Sequence, residues 1–585
     1  MGSAIDETIA STAAQLAGAI DLDPHQAGAV PFDFAGMRRL VLFATVLIGY
    51  AALTTLFFWQ VLPHLSSALL GPPEDNFQDF WNSWYAAKGH QGAFFFTSLI
   101  RAPEGVSLYY HSFAYPQVFA VWGLSRIFGT SLATLTLLQN LTNLASFPLA
   151  ATGAFYLCRY LGAGRLGAAV GGFIFAFNPW HIAQVMHHAH VAGIEFLPCF
   201  VLCYLQALKR ESYRWLAAAI LFYALSALSC WYYLFYGLYF LAFHILYQRV
   251  HHHAWPRGWN LLAPAFCLAG AALMLAPLLL PMVASGFRDS AYLQGGNVYV
   301  ADLLGYTAFP PTHALWFLSK DLFDKFTGNS WEISAYLGLA NLALLAWGFW
   351  RARESERLVL WYALGGMIFF AILASGDALH WLGRTLPVHM PAIAISKLPF
   401  FANVRTPARA MVLVYMFLGI GVAMATTAAR KRPQSMLAGS ALCATLFLVL
   451  LDFFPTRLET ASLNCAPELA VLSQDQTRNF AVLDLPFGYS EDNFYMAQQA
   501  CHGRPVAQGV VARQLAPTLA DHLEIKDMAA QSRQLRAADV KYIILHRPRD
   551  GLFAWNKSFE GNLAAYGKAY ETVASGPDMT ILRVY

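Results

Sequence analysis

Long apolar runs separated by short basic loops recur along most of this chain, and that alternation limits its fold more than any motif does. About 20 consecutive apolar residues cross a bilayer as a helix. The first run, Leu40 to Leu62, follows directly on Arg38-Arg39. Ten more fall at 134–158, 165–182, 191–208, 215–230, 232–248, 260–283, 333–350, 358–375, 408–428 and 435–454. Charged residues make up only 12% of the chain, against about 25% in soluble domains, so lipid is the expected solvent for most of it. The fold class read from the pattern is an all-α polytopic membrane bundle of about 11 transmembrane helices.

Basic residues stay on the cytoplasmic side. Met1 to Gly36 is polar and has no short apolar core with a cleavage site, so it is not read as a secretory signal. Residues 1–39 are expected to be cytoplasmic, and the first helix runs from inside to outside. Arg159/Arg165, Lys209/Arg210/Arg214, Arg249/Arg257, Arg351/Arg353/Arg357 and Arg430/Lys431/Arg432 then fall on the same, inner side. Keeping them there requires a turn near Trp231. It also requires that the short apolar stretch Phe113 to Phe128 does not cross; it is read as an interfacial or re-entrant helix within an external loop, 63–133. The bundle spans 40–454.

After Phe454-Pro455 the polarity becomes ordinary. The strand-like runs 480–485, 540–545 and 579–584 flank a helical pattern at 517–537. This predicts a small α/β domain over 455–585, placed outside by parity. Six of the eight cysteines lie in or beside spans, where a thiol is apolar filler. Cys465 and Cys501 lie in the external domain, whose compartment permits a disulfide; their spacing leaves the bond open. The net charge is +4, with no basic tract and no zinc-finger spacing, so no nucleic-acid partner is expected.

The first external loop carries the densest chemistry: Gly71-Pro72-Pro73-Glu74-Asp75-Asn76-Phe77-Gln78-Asp79-Phe80-Trp81-Asn82-Ser83-Trp84-Tyr85. At about 100° per residue, Asp75, Asp79, Asn82 and Ser83 share one helical face, opposite Phe77, Phe80, Trp81, Trp84 and Tyr85. The aromatics would face the lipid boundary or the bundle, and the carboxylates water or a cavity. Acids in a first helical turn also simply complement the helix dipole, and the residues alone do not decide between the two.

One inside-to-outside helix followed by a large loop with an early Glu74-Asp75 pair resembles the GT-C superfamily of integral-membrane glycosyltransferases. The likeness continues through Ser112-Phe113-Ala114-Tyr115-Pro116, Tyr336-Leu337-Gly338 and Arg405-Thr406-Pro407-Ala408-Arg409, and is strongest to a poorly characterised bacterial subgroup. It implies a polyprenyl-phosphate sugar donor, a glycan, lipid or protein acceptor, and a site at the outer face of the inner membrane. A first-loop acid would accept the acceptor's proton. Carried over, that acid is Asp75 of the Glu74-Asp75 pair, then Asp79. Family members with a bare Asp-Asp or Asp-Glu before a tyrosine differ here, which leaves the choice open.

The departing phosphate needs cations. Arg405 and Arg409 are the first candidates, with Arg288 and Lys397 behind them; an arginine anchoring a helix end at the headgroups is the competing reading. Glu332, His111 and His187 complete the substrate-binding set. His181, His187, His188 and His190 cluster at one outer helix end, with only Glu195 near them. Hydrogen bonding suits them better than metal ligation, no cofactor is assigned, and a divalent cation stays open. His251-His252-His253 falls on the inner side. A transporter or flippase of a lipid-linked or polar solute is the alternative, but it would often show two related halves, and no repeat is found.

Overall fold

The computed structural model describes residues 34–90, 92–284, 298–397, 401, 404–431, 436–477, 479–512, 516–548 and 559–585. Most of the N-terminal segment and Arg288 lie outside them. The helices that build the site are α1 (Phe34–Phe57), α2 (Asp75–Trp84), α3 (Tyr115–Phe128), α4 (Leu132–Tyr160), α5 (Arg165–Ala176) and α6 (Pro179–His187). They are joined by α7 (Leu339–Arg351), α8 (Glu354–Ala374), α9 (Met411–Lys431) and α10 (Tyr489–His502).

Among the described residues, five helical stretches are long and apolar enough to cross a membrane: Arg38–Phe57, Arg165–His187, Trp259–Ala284, Glu354–Ala374 and Pro407–Arg430. The expected 11 spans are not all of this kind, and the helices differ in length and polarity. The run at 333–350 forms a helix only from Leu339, and its 13 residues span about 20 Å against about 30 Å of hydrocarbon. α4 has the length, but Gln139, Asn140 and Asn143 dilute its apolarity. α3 has 14 residues, too few to cross. It buries Tyr115, Val118 and Val121 and exposes Phe119, Trp122 and Ile127.

α9 runs through the centre of the bundle, buried along its whole candidate span. Glycine lets its neighbours approach that closely. A Cβ on Gly167 of α5 would sit 2.3 Å from the Ala423 carbonyl oxygen, and one on Gly171 would sit 2.7 Å from that of Gly419. Small residues at such crossings admit the backbone-to-backbone packing on which membrane helices rely. Gly348 of α7 meets Ala425 in the same way. The packing fixes the start of α9, a tight turn over Pro407–Ala410, and with it Arg409.

α5 and α6 are apolar throughout but break at Phe177-Asn178. Asn178 caps α6, its side chain accepting from the His181 amide at 2.8 Å, and Pro179 occupies the first helical turn. Asparagine at the cap and proline just inside it are strong helix-start signals. The restart aims the end of α6, His187, at the first loop.

That loop is held from both ends of the sequence. β1 (Ala68–Leu70) pairs antiparallel with β2 (Thr460–Ser462). Further along, β3 (Ala481–Leu485), β4 (Val540–His546), β5 (Glu571–Ser575) and β6 (Met579–Arg583) form a four-stranded sheet. Its order is β3-β4-β6-β5, with β3 parallel to β4 and β6 antiparallel to both neighbours. α10 lies on the crossover between β3 and β4 and packs against α2: Phe77 meets Phe494 edge-on at 5.3 Å, and Trp81 Nε1 donates to Gln499 Oε1 at 2.7 Å. Of the two settings expected for the aromatic face of α2, protein packing is the one realised. Cys465 and Cys501 are disulfide-bonded, tying the end of α10 to the segment after β2.

Candidate active site

Gly71 begins the site. Its φ of +94° favours glycine, and a Cβ there would sit 1.6 Å from the Met186 carbonyl oxygen. The first loop therefore lies directly on the last turn of α6. Buried asparagines fix its path: Asn140 takes the Leu70 amide and donates to the Leu65 and Ala68 carbonyls, while Asn76 donates to the Leu70 carbonyl and accepts from the Glu74 amide. Backbone groups that water cannot reach must be paired internally, and these pairings hold Glu74 and Asp75 at the mouth of α2.

Three carboxylates of this loop meet three histidines. His187 Nδ1 lies 3.1 Å from Glu74 Oε2, and its ring stacks flat on Trp331 at 4.2 Å. The His190 amide donates to Asp79 Oδ2 at 3.3 Å, with the ring Nδ1 3.4 Å from Oδ1. His188 sits between two acids, its Nε2 3.0 Å from Glu332 Oε1 and its Nδ1 3.9 Å from Asp75 Oδ2. Glu332 is buried and receives Arg409 as a fork: Nε donates to both oxygens at 3.0 and 3.1 Å, and Nη2 also bonds Oε1. Such bidentate pairs are the strong form of the ion pair. The Arg409 guanidinium also covers the Tyr232 ring at 4.7 Å. On the opposite side, Asn493 Nδ2 donates to Asp75 Oδ1 at 3.3 Å, and Tyr489 lies beside it.

Burial is the main force on the titrating groups. It raises Asp75 to about 6, with the like charge of Asp79 adding to the rise and His190, Tyr489 and Arg409 opposing it. Asp75 is thus ionised at neutral pH yet far more basic than an ordinary carboxylate. Burial holds His188 well below the usual imidazole range, with Arg409, His190 and His187 pushing the same way. A neutral His188 donates from Nε2 to Glu332, which leaves Nδ1 as an unprotonated acceptor facing Asp75. Acid, imidazole, acid and guanidinium then form one line from Asp75 to Arg409.

The residues expected from sequence divide clearly. Glu74, Asp75, Asp79, His187, Glu332 and Arg409 converge. Arg405 is half-buried and acts electrostatically on Tyr489, next to Asp75. His111 lies apart from this cluster: it is buried in an aromatic shell, its Nε2 2.6 Å from Asn82 Oδ1 and its ring edge-on to Trp81 and Phe113. Burial drives it down to about 3, so it offers a phosphate no charge. Glu332 and Arg409 are mutually neutralised, which makes them framework more than ligand. Lys397 is exposed and lies near Asp377. His181 is locked between the Ala176 and Ala192 carbonyls. Among the described residues, no group of three or more His, Cys, Asp and Glu side chains is placed to hold a metal ion. Tyr489 and Asn493 join the site from a distant segment; spaced four apart on a polar helix, they carry no signal that sequence reading could use.

No family model matches the sequence, and no curated protein matches it. Among solved structures, the arabinofuranosyltransferase AftD from Mycobacteria aligns over 92% of this chain with a TM-score of 0.54 at 13% identity. This chain shares the fold of that arabinofuranosyltransferase. This chain spans 40% of AftD's length. Two structures of the oligosaccharyltransferase from Archaeoglobus fulgidus also align, each at 13% identity. The one of AglB with an inhibitory peptide and a dolichol-phosphate gives a TM-score of 0.49 over 87% of this chain and 70% of the other. The one with Zn and sulfate gives 0.46 over 86% and 68%. Within this fold, the acid cluster lies where α2, the end of α6 and the turn Pro407–Ala410 before α9 meet.

Proposed function

We propose that this chain is an integral-membrane glycosyltransferase that moves a sugar from a polyprenyl-phosphate donor to a glycan, lipid or protein acceptor, with Asp75 as the base. The reading is supported above all by the environment of Asp75, a half-buried carboxyl raised to about 6 and backed by the neutral His188. An acceptor hydroxyl is a poor nucleophile, and a base is most effective when its pKa lies near the working pH. Asp79 is almost fully buried and engaged by His190, which suits it to orienting that segment. His188 Nδ1 faces Asp75 at 3.9 Å.

Arg409 spends its fork on Glu332, so Arg405 is assigned to the departing phosphate. A divalent cation does not fit the cluster as built: Glu332 is taken by Arg409 and Asp79 by His190, and no step is routed through a metal. The basic loops put the N-terminus in the cytoplasm and the acidic loop outside. On this reading the protein is a multi-pass protein of the bacterial inner membrane, and residues 455–585 form an external domain.

Asp75→Asn preserves size but removes the basic oxygen. Transfer from a polyprenyl-phosphate sugar by purified protein should fall by about two to four orders of magnitude, while the wild-type rate should fall as pH drops through about 6, where Asp75 gains its proton. Full activity in the Asp75→Asn/Asp79→Asn double variant would sink the assignment.

A further inference from the structure

The side-chain donor that reaches Asp75 among the described residues comes from α10, more than 400 residues further along the chain. Asn493 is fully buried, and its Nδ2 points at the carboxylate while its own Oδ1 has no partner. Leaving a buried acceptor unmade costs free energy. The reverse amide orientation would set that oxygen against a carboxylate, which only accepts. Tyr489, one turn earlier on the same helix, lies beside the same carboxylate.

We propose that Asn493 and Tyr489 are positioning residues for the first-loop acid, so that the C-terminal segment completes the site instead of only covering it. This rests on the reading of Asp75 as the base. The mechanical path is closed: α10 grips α2 through Phe494 and Gln499, its end is joined by Cys501 to Cys465, and the segment before Cys465 pairs as β2 with β1, which leads into Asp75. Neither end of this ring can shift without moving the acid relative to Asn493 and Tyr489.

The groups facing Asp75 are known from every side. Glu74 and Asp79 lie on its own segment, and His188 and His190 on the segment after α6. Arg409 comes from the turn before α9, Glu332 acts through His188, and Tyr489 carries Arg405 beside it. Hydrogen bonds donated to a carboxylate favour its charged form. Removing either α10 side chain therefore makes Asp75 easier to protonate.

The test is an infrared pH titration of the full chain in lipid nanodiscs, following the protonated-carboxyl band that disappears in Asp75→Asn. Asn493→Leu and Tyr489→Phe should each move the midpoint upward by about one unit. Asn493→Asp, which replaces a donor with a like charge, should move it further. Asn493→Asp and Tyr489→Phe keep the measurement decisive if Asn493→Leu fails to fold. Unchanged midpoints in folded Tyr489→Phe and Asn493→Asp would overturn the proposal. The titration needs no turnover, so it stands apart from the base assignment, which falls only if Asp75→Asn transfers sugar at the wild-type rate.

Discussion

Replacing Arg409 by methionine should destabilise the protein by about 3 kcal/mol, and the size follows from what the residue leaves behind. Glu332 is 3% exposed. With Arg409 Nε at 3.0 Å, a unit charge pair is worth about 5 kcal/mol at an effective dielectric of about 20. Severing a buried pair by removing one partner typically costs about 3–5 kcal/mol, because the other charge stays buried. His188 Nε2 at 3.0 Å and Gln184 Nε2 at 3.5 Å remain on Glu332, which sets the expectation at the low end. Glu332→Gln should cost less, since the stranded guanidinium still covers the Tyr232 ring. Arg409→Met/Glu332→Gln should recover part of the Arg409→Met loss, because no carboxylate is then left uncompensated.

A thiol-reactive fluorogenic dye can follow the melting. Cys158, Cys203, Cys230 and Cys267 are free and buried, and Cys443→Ser removes the exposed thiol. Arg409→Met should melt several degrees lower, with the double variant between it and the wild type. If Arg409→Met melted with the wild type, or the double variant fell below both singles, the Arg409–Glu332 pair would not be the buried brace inferred here.

Two further outcomes test the path from loop to site. Gly71→Ala forces a Cβ into the Met186 carbonyl at a positive φ, so transfer should drop at least tenfold while the bundle's melting changes little; unchanged transfer would detach Gly71 from the site. Cys465→Ser/Cys501→Ser removes a link across 36 residues worth about 3–4 kcal/mol by chain entropy, and should make the segment around α10 the first region cut in limited proteolysis.

Hydropathy reveals the apolar helices because lipid-facing and core-facing surfaces are both apolar here. For the same reason it does not separate long helices from short ones: α7, with 13 residues, is as apolar as the longer α8 and α9, and only length sets it apart. The acidic loop is legible because its residues are contiguous, but the sequence leaves the choice between Asp75 and Asp79 open. The histidine run is visible too, but its purpose is not. His188 bridges Asp75 to Glu332 across segments more than 100 residues apart, and no spacing announces that. Nor does any spacing couple Asn493 to Asp75. The compartment permits the Cys465–Cys501 disulfide, but only the fold, by bringing the end of α10 back to the segment after β2, makes the pairing.

A carboxyl raised by burial is a cost borne by the fold. Its folded-state affinity for protons exceeds its unfolded one, so stability falls as pH rises from the ordinary carboxylate range through about 6. Nothing about packing α2 onto α10 requires that cost: Phe77, Trp81, Phe494 and Gln499 would hold the helices together with any small neutral side chain at 75. A neutral residue there would relieve the charge burial, and the Glu332–Arg409 brace would keep its fork. That the chain instead keeps an acid at this junction, supplies it with a donor from α10 and backs it with a neutral imidazole accords with the proposed role of Asp75 as proton acceptor.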